Sequence, residues 1–276
     1  MWPNALRKSL FIILGLCLVV GAAWFVARAV QTSRAEVELK NAVEEIIELI
    51  DLPPSKSFRE TVDAVRVFVN DHSRGKMDAT FYAMRNDPVA FAKGLIAHAR
   101  DPSTERVHME CSTRARLMEG ILRQMAVETR TIGIFATNGR FSSHSFLDVF
   151  NPQSKQWETV DPDYDLYWID RSTGNRVSLV EAAEKLDDLQ PCGRERCGWD
   201  LEGRDGRRPK SLRDKLDILA VTHRGKNLRY AVYTGRANLD RKLSFKGDSG
   251  TFCEMFPKRC RDGFSAVGDL AQRQRK

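Results

Sequence analysis

The sequence predicts an α+β fold: a cysteine-headed helix packed on an antiparallel β-meander, set behind an N-terminal membrane-spanning helix. Three observations predict it. Residues 9–27 carry no charge. Cys111 opens a stretch in which Ala115, Met118 and Leu122 recur on one helical face. From residue 131 to residue 161 the pattern changes to short β-type runs divided by turn residues.

The length of 276 residues suffices for one large domain, or a domain with an appendage. Hydrophobic residues at 42% and charged residues at 29% exclude a disordered chain. Lys and Arg number 44 against 37 acids, a modest excess partly placed at the terminus in Arg273, Arg275 and Lys276. No nucleic-acid motif accompanies it, so no nucleic-acid partner is expected.

Residues 1–8 form a short basic N-terminus with Arg7 and Lys8, and residues 9–30 are expected to contact membrane lipid as a signal anchor. At ~1.5 Å per residue the apolar run is long enough to span a bilayer, and Trp24 sits where an interfacial aromatic belongs. A cleaved signal peptide ending near Ala27, Arg28 and Ala29 is the rival reading, and the length of the run favours the anchor. Arg28, Arg34 and Lys40 follow the span, so the balance of positive charge barely orients it. Cysteine usage leans outward. With Cys17 in the span and Cys111 set apart, Cys192, Cys197, Cys253 and Cys260 allow two disulfides in three connectivities, which suits a periplasmic or other extracytoplasmic location. Their spacing fits a zinc site poorly, and no metal or cofactor is expected.

Residues 31–54 read as a juxtamembrane helix and linker, with Leu39, Val43, Ile46 and Ile50 at helical spacing until Pro53 and Pro54 stop it. A core over residues 55–170 follows. Ser57 and Glu60 form a capping-box pattern ahead of Phe58, Val62, Val65 and Val69, and Asp87 and Pro88 open a helix with Phe91, Leu95 and Ile96. His72 and His98 read as surface or packing residues.

Cys111 is expected at a helix N-terminus, where free N–H groups and the positive end of the dipole stabilise a thiolate and, in a reaction, an oxyanion. A strand over residues 131–137 ends at Asn138 and Gly139, a strong hairpin signal. The returning strand carries His144 to Phe150, and the loop of Asn151, Pro152, Gln153 and Ser154 leads to a strand over residues 155–161, stopped by Pro162. If Phe150 pairs with Lys155, His144 falls opposite Asp161, with Cβ atoms ~4.5–5.5 Å apart. One imidazole nitrogen would then meet a carboxylate, leaving the other for Cys111. Asp148, Asp163 and Asp165 compete for that role; the spacing from Trp157 and the pairing favour Asp161.

Together Cys111, Ala115, Leu122, Arg123, Arg130, His144, Phe146, Val149, Trp157, Asp161 and Pro162 resemble the core of the transglutaminase-like superfamily, on a papain-like cysteine fold, over residues 105–168. The resemblance implies Cys111 as nucleophile, His144 as general base and acid, and Asp161 as the residue orienting the imidazole. It also implies reaction at an amide of a peptide or protein substrate through a thioester. Phe146 stands where members often have Trp, and no Trp between Trp24 and Trp157 supplies an upstream oxyanion donor. Glu110 opposes a thiolate, while Arg114 one turn on could offset it. The alternative is a catalytically silent binding or scaffold module of an envelope assembly, with an envelope protein as partner; acyl transfer from a thioester donor is a third reading.

Residues 171–276 form a C-terminal extension. As a whole it is expected to lid the site or bind a partner; residues 178–189 read as a helix capped by Ser178 and Glu181, residues 192–215 as a disulfide-clipped or mobile loop, residues 218–222 and 230–234 as added strands, and Cys253 and Cys260 as closing a terminal loop.

Overall fold

The computed structural model describes residues 4–52, 56–135, 143–202, 206–213, 215–216, 218–223 and 227–233. Helix α1 (Asn4–Ile50) runs without a break through the expected span and the expected juxtamembrane helix, which are therefore one element. No proline interrupts it, and it ends where Asp51 turns into the left-handed region (φ 48°) ahead of Leu52 and the two prolines. Among the described residues no helix is long and apolar enough to cross a membrane. The apolar run itself lies mostly outside the residues whose side chains are described. At the other end of α1, Ala42, Val43 and Ile46 are buried in the main core.

Helix α2 (Phe58–His72) starts where the caps predict. Ser57 accepts from the Glu60 amide, and the Glu60 carboxylate accepts from the Ser57 backbone. Strand β1 (Ser73–Gly75) and helix α3 (Ala79–Met84, capped by Asp78) follow, both too short to show in the sequence pattern. Helix α4 (Pro88–Arg100) opens on the Asp87 cap and proline. His72 and His98 meet across α2 and α4, Nδ1 to Nδ1 at 2.8 Å, with Phe68 against the His72 ring. Strand β2 (Val107–Met109) pairs in parallel with β1 and delivers the chain to helix α5 (Cys111–Gln124).

Seven strands form one antiparallel sheet: β3 (Thr129–Phe135), β4 (Ser143–Asn151), β5 (Gln156–Asp161), β6 (Leu166–Asp170), β7 (Leu189–Cys192), β8 (Ile218–His223) and β9 (Asn227–Tyr233), in the order β7-β6-β5-β4-β3-β8-β9. The meander is as expected, and the two C-terminal strands extend it beyond β3. Asn138 and Gly139 lie outside the described residues.

Two corrections concern the turn between β4 and β5 and the segment at residues 178–189. The β4–β5 hairpin is shifted: Phe150 pairs with Trp157, not Lys155, because Lys155 adopts a left-handed conformation (φ 54°) and belongs to the turn, while Asn151 Oδ1 accepts from the amides of Gln153 and Ser154. The shift is two residues, so every side chain stays on its predicted face. Residues 178–189 are not one capped helix. Ser178 Oγ donates to buried Asp148, and Glu181 accepts from Arg130, which leaves turns, a 3-10 segment at Ala183–Asp188 and then β7.

The sheet separates two cores. Leu147, Val149 and Val160 join the helical core with Ala115, Met118 and Leu122 of α5. Ile132, Ile134 and Phe146 join the second core with Tyr164, Trp168, Leu212 and Leu216, so the C-terminal extension covers that side of the meander. Cys192 and Cys197 form a disulfide; Cys253 and Cys260 lie outside the described residues.

Candidate active site

Cys111 is a free, half-buried thiol heading α5. Glu110 occupies the N-cap position but makes no side-chain cap. Its carbonyl accepts from the Thr113 and Arg114 amides, and its carboxylate accepts from Ser112 Oγ. The first turn of α5 thus has no side-chain cap over its N–H groups beside the thiol, the arrangement that receives negative charge at a helix start. Just upstream, buried His108 holds the approach strand in place, with Nδ1 on Asp78 and Nε2 3.0 Å from Glu105.

His144 is the second residue of β4. Its Nε2 donates to Asp161 Oδ2 at 2.6 Å, both groups being buried. The pairing ladder ends at Leu147 and Val160, and with the shifted register His144 reaches Asp161 diagonally. The other oxygen of Asp161 accepts from the Asp163 amide at 2.8 Å and the Tyr164 amide at 3.2 Å, which fixes the carboxylate in the turn it begins. Cys111 lies close enough to the His144 ring to act on it electrostatically. Burial alone would push the imidazole down, but the Asp161 charge and hydrogen bond, with the contribution of Cys111, outweigh it and raise His144 to about 10. Tyr164 meets the His144 ring edge-on at 5.1 Å, and Phe146 lies 5.8 Å away on the same strand.

The three expected residues therefore come together, and the competing carboxylates go elsewhere. Asp148 is held by Arg130, Thr159 and Ser178, and Asp165 by Arg66 and Arg194. Asp163 comes nearest, its Oδ2 3.8 Å from His144 Nδ1. Arg114, one turn on from Glu110, is engaged by Asp163. Fully buried, it donates to Ser73 Oγ and to the Asp163 carboxylate and carbonyl. Arg207, from the extension, grips the same carboxylate through both terminal nitrogens. Burial raises Asp163, but these two guanidiniums and His144 outweigh it, and the net shift is downward.

Three residues of this neighbourhood escaped sequence reasoning: Asp163 as a buried hub, Tyr164 against the imidazole, and Arg207. The turn Asp161, Pro162, Asp163, Tyr164 was the available signal for the first two. Nothing local marks Arg207. Trp157 packs against Phe150 and under Arg130. A cleft of about 450 Å³ borders Tyr164, walled by the disulfide-clipped loop of residues 193–196 and by Pro209. Among the described residues no group of three His, Cys, Asp or Glu side chains is placed to hold a metal ion.

No protein-family model matches the chain, and no curated protein is similar to it. Among solved structures it is similar to "a Putative Cysteine Protease from Cytophaga hutchinsonii", at 14% identity and a TM-score of 0.31, over 58% of this chain and 47% of that one. The chain thus spans about half the length of that protein.

Proposed function

We propose that the chain is a membrane-anchored thiol hydrolase or transamidase acting on peptide or amide bonds, with Cys111 as nucleophile, His144 as general base and acid, and Asp161 as the orienting residue of a transglutaminase-like site. The observation that carries this reading is the 2.6 Å hydrogen bond from His144 Nε2 to Asp161, made by a ring that lies beside the thiol at the head of α5. An imidazole raised to about 10 is charged at neutral pH, and an imidazolium beside a helix N-terminus favours the thiolate that attacks.

In the proposed reaction, sulfur bonds to the amide carbon while the N–H groups of the first turn of α5 receive the developing oxyanion. His144 gives its proton to the departing amine as the C–N bond breaks, leaving a thioester on Cys111. His144 then takes a proton from water or an acceptor amine, whose attack releases the acyl group and returns the proton for the next cycle. Asp161 keeps the ring in place through both transfers. Anchoring through residues 9–30 rests on their uncharged run, and an extracytoplasmic site is supported by the Cys192–Cys197 disulfide.

The test is the rate at which iodoacetamide modifies Cys111 in the full chain between pH 5 and pH 9, followed by mass spectrometry of the peptide, with and without His144→Ala. The proposed reading expects the variant to react roughly a hundredfold more slowly at pH 6. Equal rates in both proteins at every pH would overturn it and leave the catalytically silent module as the better reading.

A further inference from the structure

The hub at Asp163 explains why a segment remote in sequence reaches the site. Asp163 Oδ2 is the oxygen that lies 3.8 Å from His144 Nδ1, and the same oxygen accepts from Arg207 Nη1 at 2.6 Å. Nδ1 is the ring nitrogen that Asp161 does not use. A free carboxylate there would compete with the thiol for it. Arg207 also lies over the Tyr164 ring, 4.9 Å from its centroid, and that ring packs edge-on against His144.

We infer that Arg207 is a positioning residue of the site: by engaging Asp163 Oδ2 it leaves His144 Nδ1 to Cys111. The inference rests on the reading of Cys111 and His144 given above. Other groups around Asp163 hold different atoms. Arg114 of α5 takes Oδ1 and the carbonyl, and Asn70 of α2 donates to the carbonyls of Pro162 and Asp163. Asp161 receives the Asp163 amide. Only Arg207 of these bonds Oδ2. Its segment is docked, with Ser211 Oγ 2.8 Å from Tyr164 Oη and Leu212 buried in the second core. The extension thereby completes the site from the side of the sheet opposite α5.

The experiment measures iodoacetamide modification of Cys111 against pH in the full chain for the wild type, Arg207→Gln, Asp163→Asn and the double variant, with urea unfolding of each. Arg207→Gln is expected to slow the reaction at pH 6 about tenfold, a displacement of roughly one unit along the pH axis. Asp163→Asn removes the competing charge, so adding it to Arg207→Gln is expected to restore most of the lost rate. Superimposable profiles for Arg207→Gln and wild type would overturn the inference, as would a double variant that stays slow. If Arg207→Gln does not fold, Arg207→Met is read in its place, with the same supporting and overturning outcomes. A wild type whose rate is indifferent to His144→Ala would instead sink the parent reading, a separate and recognisable result.

Discussion

Strands β4 and β5 carry two buried carboxylate clusters a few residues apart, and they are built on opposite principles. Asp148 is fully buried and saturated: Thr159 Oγ1 donates to one oxygen at 2.6 Å, while Ser178 Oγ at 2.6 Å and Arg130 at 2.8 Å donate to the other. Each of those donors keeps its proton across the physiological range. Asp161 is equally buried, but one of its oxygens faces an imidazole that lies beside a thiol. The first cluster ties sheet, turn and arginine together. The second joins a carboxylate to an imidazole. Burial and charge are alike in both; a titratable partner is what marks the second as the proposed reacting unit.

That contrast can be broken by substitution. Asp148→Ala strips a buried ion pair of its anion and is expected to cost about 3–5 kcal/mol in urea unfolding, while folded protein keeps the wild-type rate of Cys111 modification. A reactivity loss as large as the stability loss would erase the distinction. Asp161→Asn should do the reverse. Cys111 modification at pH 6 is expected to fall roughly a hundredfold, or about 2.7 kcal/mol in activation free energy, with a smaller loss in unfolding free energy than Asp148→Ala shows.

The pH dependence sharpens the comparison further. His144 lies above its unfolded value, so the folded protein keeps a proton that the unfolded chain releases, and stability falls with pH in that window. The advantage of wild type over His144→Gln should be complete below about pH 6.5 and decline toward about pH 10. An advantage that grows over this range, measured as urea midpoints, would contradict the charged imidazole. The smallest expected effect lies far from both clusters. Ser57→Ala removes half of a capping box and should cost about 1 kcal/mol without touching Cys111 modification.

Much of the scaffold was legible because its signals are local. Ser57 with Glu60 and Asp87 with Pro88 mark helix starts within four residues of sequence, and the alternation along β4 and β5 sets which side chains share a face. Parity survived where register did not: the left-handed Lys155 moved the hairpin by two residues, yet His144 and Asp161 stayed on one face. What sequence could not show are contacts without a period. The capping pattern at Ser178 and Glu181 failed because Asp148 and Arg130 claim those side chains. The pairing of Arg114 with Asp163, 49 residues away in sequence, carries no local signal. Arg207 sits in a Gly- and Arg-rich stretch that resembles a surface loop, and only the folded chain brings it to Asp163.

The central claim is that a buried, charged His144 lies between Asp161 and Cys111, and it can be observed directly. In full-length protein labelled with 15N at histidine, the ring nitrogens of His144 report their protons at pH 8. The account predicts both nitrogens protonated there, and a neutral ring in Asp161→Asn. A wild-type His144 already neutral at pH 8, titrating near 6.5, would contradict it.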